Sequence, residues 1–308
     1  MDGILVIDKP VGVTSHDVVA QARKILRVRR IGHTGTLDPF ATGVLVLLVG
    51  RATRLAQFFG DHEKEYEAII RVGYATDTGD VTGKPLEETR QAVKLRESEI
   101  EPVLEGLRGN IFQVPPMYSA KKKGGRKLYE LAREGVEVER APLPVCIHEL
   151  ESIKRDGALI KDNLDGTADL KVRVVCSAGT YVRTLAEDFG RRLGAAAHLA
   201  ELRRTRAGDF SEAAATTLEQ LKQTVAEGAL GTIFVPPAAA LSRLPFVHLN
   251  ANDVGRARHG LEVRGRKGVW PHGSWIKMLD EQGKLVAVAS FDEEKQLLQP
   301  RVVLVDEK

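Results

Sequence analysis

The longest unbroken apolar run in this 308-residue chain is Val44-Leu45-Val46-Leu47-Leu48-Val49. A helix that crosses a membrane needs roughly 20 such residues. The chain is therefore expected to fold in water and to have no membrane partner. The remaining apolar runs are shorter and are bounded by Gly, Pro or charge, which predicts short strands and helices around a buried core. Met1-Asp2-Gly3-Ile4-Leu5 has neither a basic leader nor an apolar signal core, so a cytoplasmic location is expected. The two cysteines, Cys146 and Cys176, supply neither a disulfide framework nor, by themselves, a tetrahedral zinc site.

At about 150 residues per domain, the length predicts two domains or one with an appendage. Ile4 to Ile7 reads as a strand that ends at a Pro/Gly turn, Asp8-Lys9-Pro10-Val11-Gly12. Thr14, Ser15 and Asp17 offer caps for a helix whose apolar positions run from Val18 to Leu26. Residues 31–43 read as a Gly/Thr loop, and 44–49 as a strand or a short helix. Strands are expected over 66–72, 145–153 and 170–176, and helices over 86–107, 127–134, 180–193 and 218–227. Residues 74–83 read as a loop, 155–169 as a polar insertion, and Pro115-Pro116 opens an irregular basic loop. Prolines at 236, 237 and 245 mark a boundary. Beyond it, short β-type runs (247–249, 275–278, 285–288, 302–305) predict a β-barrel-like module of about 60 residues.

The formal net charge of +3 conceals a pattern. Residues 1–60, 106–140 and 171–210 each carry +4, while 61–105 carry −6. Such clusters are either solvated faces or, if folding gathers them, a surface that attracts a polyanion. Charge alone does not choose.

The segment Gly32-His33-Thr34-Gly35-Thr36-Leu37-Asp38-Pro39-Phe40-Ala41-Thr42-Gly43 places one carboxylate in a loop between apolar flanks. Pro39 biases Asp38 toward extended backbone. Leu37 and Phe40 can partly desolvate the carboxylate, which then needs a nearby cation to stay ionised. Composition alone favours the ordinary use of Asp before Pro, capping a turn or a helix. His33 beside Gly is most simply a turn residue. His33 with Asp38 makes only half of a metal site, so no metal is expected.

This segment closely resembles the catalytic motif of the pseudouridine synthases, specifically the bacterial TruB family, which convert uridine 55 in the T-loop of tRNA to pseudouridine. Further segments resemble the family's other motifs in the same order. They are Leu5-Val6-Ile7-Asp8-Lys9-Pro10-Val11-Gly12, Lys64-Glu65-Tyr66, Pro115-Pro116-Met117-Tyr118-Ser119-Ala120, Ser177-Ala178-Gly179-Thr180-Tyr181-Val182-Arg183-Thr184-Leu185 and Leu202-Arg203-Arg204-Thr205. The resemblance implies an α+β pseudouridine synthase fold: a mixed, largely antiparallel central sheet flanked by helices and loops, over residues 1–242. It implies an RNA-gripping thumb at about 113–140 and a small C-terminal β-barrel-like PUA domain over 243–308.

The chemistry the resemblance implies breaks the N1 glycosidic bond, turns the uracil and rejoins it through C5, with no cofactor. Asp38 is then the catalytic carboxylate, by attack on C6, attack on C1′, or removal of the 2′ proton. Arg183 is its partner, Tyr66 stacks on the base and helps remove the C5 proton, and Tyr181 and Leu202 wall the pocket. His33 fills the space a flipped-out uridine leaves, and Lys9 supports the loop beside the substrate. Lys121, Lys122, Lys123, Arg126 and Lys127 contact RNA phosphates. Arg256, Arg258, Arg264, Arg266 and Lys267 give the C-terminal module a basic edge. Without the resemblance, the plainer readings are a solvent-exposed Arg183, a half-buried strand tyrosine at 66, core packing at 181 and 202, and a solvated basic loop. The partner expected is tRNA, through its T-arm and acceptor stem, bound by a monomer with no obligatory protein. A guide-RNA-dependent synthase and a tRNA-folding chaperone are the alternatives. A nucleotide-phosphate enzyme is disfavoured, since no GxxxxGK[ST] or post-strand GxGxxG occurs.

Overall fold

The protein is described from a computed structural model covering residues 1–265 and 270–304; Arg266, Lys267 and Val305 of the expected C-terminal edge and strand lie outside these residues. Strand β1 (Gly3–Lys9) turns at Pro10 and Gly12 into helix α1 (Ser15–Leu26). Thr14 and Asp17 cap α1 reciprocally, each side chain bonding the other's backbone N–H. The expected Gly/Thr loop begins with a short strand, β2 (Ile31–His33), and ends in β3 (Thr42–Val49). The six-residue apolar run is thus a strand, and its uninterrupted hydrophobicity follows from burial on both faces. Leu45, Leu47 and Val49 enter one core, while Val44, Val46 and Leu48 enter a second.

Strand β4 (Lys64–Val72) follows. The helix expected over 86–107 is corrected to α2 (Glu97–Gly106), preceded by a single 3-10 turn at Glu87–Thr89. Between them the chain is extended. The Gln91 N–H bonds the Gly73 carbonyl and the Val93 N–H the Gly166 carbonyl, so tertiary partners take the place of helical ones. Then come β5 (Gly109–Gln113), a basic hairpin of β6 (Lys122–Lys123) and β7 (Arg126–Lys127), α3 (Leu128–Arg133), and β8 (Leu143–Ser152). The hairpin corrects the irregular loop expected there: Gly124 and Gly125, both at positive φ, make a two-residue turn that only such residues adopt easily. Within the polar insertion, β9 (Ile160–Asp162) pairs with β10 (Ala168–Cys176). Next are α4 (Val182–Arg192), β11 (Ala197–Ala207), β12 (Phe210–Ser211), α5 (Leu218–Ala226), β13 (Phe234–Val235) and α6 (Pro237–Ala240).

These strands form one mixed, largely antiparallel sheet of 11 strands, running β13-β1-β3-β11-β4-β10-β8-β5 with β2, β9 and β12 at its sides. The pairing is parallel at one seam, where Arg203 and Arg204 of β11 meet Thr42 and Gly43 of β3. The helices α1, α2, α4 and α5 cover the first core, which includes Tyr66, Ala68 and Ile70 of β4 and Leu170, Val172 and Val174 of β10. The opposite face of β4, β10 and β11 is tiled by cross-strand ion pairs: Arg71–Asp169 (2.7 Å), Lys171–Glu67 (2.7 Å) and Arg173–Glu65 (2.8 Å).

The chain ends in β14 (Phe246–His248), α7 (Ala251–Arg258), β15 (Val263–Arg264), β16 (Trp275–Leu279), β17 (Leu285–Asp292) and β18 (Leu297–Val303). They make a second, five-stranded sheet in the order β14-β16-β17-β18-β15, curled as a half-barrel over Ile276, Met278, Phe291 and Leu298. The two sheets share apolar packing. Leu279, Leu285, Val288 and Val302 join Val44, Val46, Leu55 and Phe59 in one cluster, and Phe58 meets Trp275 edge to face at 5.2 Å. No helix among the described residues is long and apolar enough to cross a membrane.

Candidate active site

The loop between β2 and β3 is pinned from several directions. Ser15, at the start of α1, accepts the Leu37 N–H (2.9 Å) and donates to the Leu37 carbonyl (3.2 Å). The Gly12 N–H bonds the Pro39 carbonyl (2.8 Å). The Lys9 ammonium is fully buried and donates to the carbonyls of Pro10 (2.9 Å), Val13 (2.7 Å) and Pro39 (3.3 Å). Burial lowers its pKa to about 8, with the Asp38 charge opposing. Gly43 must be glycine: at φ +99° a Cβ there would stand 2.2 Å from the Arg204 carbonyl oxygen.

Asp38 projects from this loop into a recess. Arg183, on the first turn of α4, grips it with Nε to Oδ2 at 2.9 Å and Nη2 to Oδ1 at 3.3 Å. The remaining guanidinium donors reach the Thr78 carbonyl (2.9 Å), the Tyr118 carbonyl (2.7 Å) and the Asp80 carboxylate (3.7 Å). Such a fork-to-carboxylate grip fixes direction as well as charge. Asp38 keeps 32% of its side-chain surface open, and that part faces the recess rather than bulk water. Burial pushes its pKa above the ordinary value, Arg183 pulls it back, and Asp80 adds to the rise.

The recess has a volume of about 290 Å³, and Asp38, Arg183, Tyr66, Tyr181, Leu202, Lys64, Arg204, Ser119 and Gly179 are among its lining residues. A larger groove, of about 710 Å³, lies between Val11, Phe40, Glu67 and Arg203 and contains neither Asp38 nor Arg183. Tyr66, on β4, lines the recess with Arg204; burial raises its pKa and Arg204 opposes the rise. Gln113 at the end of β5 clamps Tyr181, accepting its N–H (3.0 Å) and donating to its carbonyl (3.3 Å).

Of the residues expected from sequence, Asp38, Tyr66, Arg183, Tyr181 and Leu202 meet in this one cavity, although they come from a loop, two strands and a helix. Lys9 and His33 are not in its wall. Lys9 braces the loop from behind. His33 sits at the end of β2, edge-on to His16 at 5.3 Å, with a buried Nδ1 that has no partner. Burial, and then the His16 charge, lower its pKa to about 4. In the basic hairpin, Arg126 pairs with Glu134 (2.5 Å), Lys123 donates to the Glu139 carbonyl and Lys127 donates to the Tyr129 hydroxyl (3.2 Å). Lys121 and Lys122 are exposed. No group of three or more His, Cys, Asp or Glu able to hold a metal ion occurs among the described residues.

Sequence reasoning missed Asp80, Lys64, Arg204 and Gln113. Asp80 is 4% exposed and accepts from the Thr82 N–H (3.0 Å) and the Thr82 hydroxyl (2.6 Å). The dense Thr/Asp/Gly turn of 74–83 was its available signal. Strand β11 was also missed, because its three arginines read as surface charge. Alternate burial along it sends Arg204 inward and Arg203 outward to Asp8 (3.0 Å).

Comparison with known proteins follows the same geometry. Residues 23–182 match the family described as TruB family pseudouridylate synthase (N terminal domain), and residues 183–242 match the tRNA pseudouridylate synthase B C-terminal domain. The chain is 42% identical to tRNA pseudouridine synthase B of Solibacter usitatus, over 94% of this chain and 95% of that protein. It is 38% identical to tRNA pseudouridine synthase B of Bacillus pumilus, over 100% and 99%. Among solved structures, it is similar to a Cbf5-Nop10-Gar1 complex, with a TM-score of 0.71 and 28% identity over 99% of this chain and 84% of that one. It is also similar to an H/ACA RNP bound to a substrate RNA containing 2'-deoxyuridine, with a TM-score of 0.70 and 25% identity over 99% and 85%.

Proposed function

Because the chain belongs to the TruB family of pseudouridylate synthases, we propose that it isomerises uridine 55 of tRNA to pseudouridine, with Asp38 as the catalytic carboxylate. The observation that carries this reading is the Asp38–Arg183 grip at the mouth of a recess floored by Tyr66. A base inside a stack cannot reach such a recess, so the uridine enters flipped out, at an unstacking cost of a few kcal/mol. His33, at the rim of the loop and neutral near pH 7, is suited to fill the vacated space.

Arg183 opposes the effect of burial on Asp38 and so favours the anion, which every route open to Asp38 needs. Tyr66 presents a ring face to the uracil and a phenolic oxygen for the C5 proton. Tyr181 and Leu202 bound the base, and Lys9 acts through the loop it braces. Lys121, Lys122, Lys123, Arg126 and Lys127 meet the T-arm backbone from the thumb segment, whose base reaches the recess through Ser119 and the Tyr118 carbonyl. Residues 1–242 form the catalytic domain. Residues 243–308 serve as a PUA domain that grips the acceptor stem, a role its half-barrel sheet and Arg256, Arg258 and Arg264 support. The protein acts as a cytoplasmic monomer.

The test is an unmodified tRNA transcript incubated with the purified protein alone. Conversion of one T-loop uridine supports the reading. Silence until a guide RNA is supplied would transfer the chain to the guide-dependent class, and binding without conversion would leave it a chaperone.

A further inference from the structure

The recess holds more positive charge than its carboxylates neutralise. Arg183 is engaged with Asp38 and Asp80. Lys64 and Arg204 line the same cavity and are 8% and 1% exposed. The Lys64 ammonium donates to the carbonyls of Gly60 (3.0 Å) and His62 (2.7 Å). Arg204 donates to the carbonyls of Val44 (2.7 Å) and Gly35 (3.1 Å). Among the described residues, neither cation has a carboxylate in ion-pair range. Burying cations without a counter-ion is strongly unfavourable, so buried cations are ordinarily paired. Backbone carbonyls satisfy their hydrogens but not their charge. Holding Arg204 against the loop would need only a neutral donor.

We propose that Arg204 and Lys64 form an anion subsite for the uracil ring, holding the negative charge the base carries while it is detached from ribose. The inference rests on the reading that the chain isomerises uridine. When the C1′–N1 bond breaks, its electron pair stays on N1 and spreads to O2 and O4. If Asp38 attacks C1′, an ester forms and the uracil leaves as a monoanion. If Asp38 takes the 2′ proton, the carboxylate becomes neutral and elimination again leaves the uracil a monoanion. If Asp38 adds to C6, the ring becomes an enolate. On rejoining, the C1′–C5 bond forms and Asp38 is released as the carboxylate, by cleavage of its ester bond to C1′, by return of its proton to C2′ or by departure from C6; C5 then gives up its proton and N1 gains one, so atoms and charge balance. On each route, charge moves from a carboxylate beside Arg183 to a ring beside Arg204 and Lys64. The two cations are in place before that charge arrives, and fixed donors of this kind are effective because they need no reorganisation.

Single-turnover rates of wild type, Arg204→Gln, Arg204→Lys and Lys64→Gln are measured on two transcripts, one with uridine and one with 5-fluorouridine at the target. Fluorine makes the uracil anion more stable, so it needs the subsite less. The readout is the C-linked product, whose formation requires cleavage and rejoining; with 5-fluorouridine C5 has no proton to lose, so that product keeps its fluorine and takes up water at C6. Arg204→Gln should slow the uridine reaction about a hundredfold, with Kd changed less than about threefold. Arg204→Lys should recover most of the rate, and the Arg204→Gln deficit should shrink at least about tenfold with 5-fluorouridine. Lys64→Gln should show the same narrowing, and decides the matter if Arg204→Gln does not fold by circular dichroism. Equal losses on both transcripts, or equal losses in Arg204→Gln and Arg204→Lys, overturn the subsite and leave Arg204 a brace. A wild type silent on the uridine transcript overturns the functional reading itself, an outcome separate from any variant's behaviour.

Discussion

The pull of burial against Arg183 decides what Asp38 does for the fold as well as for the reaction. Its folded pKa lies above the ordinary carboxylate value. A carboxyl raised in this way adds stability while protonated, and that stability is lost as pH rises through the folded pKa. An ionised Asp38 is therefore a cost to the fold. Asp38→Asn should abolish turnover, keep tRNA affinity within about tenfold (near 1.4 kcal/mol), and leave Tm at or above the wild-type value in a thermal melt. Turnover near wild type would sink the assignment. Arg183→Gln leaves only Lys9 opposing burial, so the acid limb of its residual kcat/KM should move to higher pH; an unmoved limb would show that Arg183 does not hold the anion. Asp38, Tyr66 and Arg183 were legible in the chain because each sits inside a motif. Asp80 lies outside every motif, and Lys64 and Arg204, though inside two of them, read as solvated charge until the strand pleat shows which way they point.

At the scale of elements, Ser15 joins α1 to the catalytic loop through both Leu37 backbone groups. Ser15→Ala strands a buried N–H and a carbonyl, and should cost about 1–3 kcal/mol in chemical denaturation. It should also lower kcat more than it raises KM. An unchanged midpoint and rate would mean water replaces the hydroxyl without loss. In the thumb hairpin, the side chains of Lys121 and Lys122 are exposed to solvent. Replacing either with Gln should reduce the slope of log K against log salt for tRNA by roughly 0.7–0.9 for each phosphate that the lysine neutralises. A parallel line displaced in K alone would argue against direct phosphate binding. The N-terminal capping box of α1 was legible from Thr14 and Asp17. The stretch before α2 was over-read as helix, since composition suited a helix while Gly73 and Gly166 claimed its backbone. Strand β11 went unread for the opposite reason: arginines hid a central strand.

For the whole molecule, the change in pattern after the prolines at 236, 237 and 245 was visible, but the apolar cluster shared by the two sheets was not. Alternation within β16 and β17 shows which residues are inward, not whose core they enter. Removing residues 246–308 uncovers Val44, Val46, Leu55 and Phe59, which lie on strands and turns of the catalytic body. The truncated protein should lose several kcal/mol of stability and associate on sizing, and the intact protein should melt in a single calorimetric transition. Two separated transitions would show that the sheets are independent. Point changes at Arg256 or Arg258, on α7, are thus the cleaner test of the RNA binding proposed for the C-terminal module.

The parallel seam has a consequence for how the protein is made. It ties Gly43 to Arg204, and the Arg204 side chain reaches back to Val44 across 160 residues of chain. A ribosome delivers the loop bearing Asp38 early. The arginine opposite it, and the strand that closes the floor beneath the base, emerge only after two-thirds of the protein has been translated. Until then the nascent chain displays its carboxylate without a pocket, and no RNA nearby can be modified by an unfinished copy.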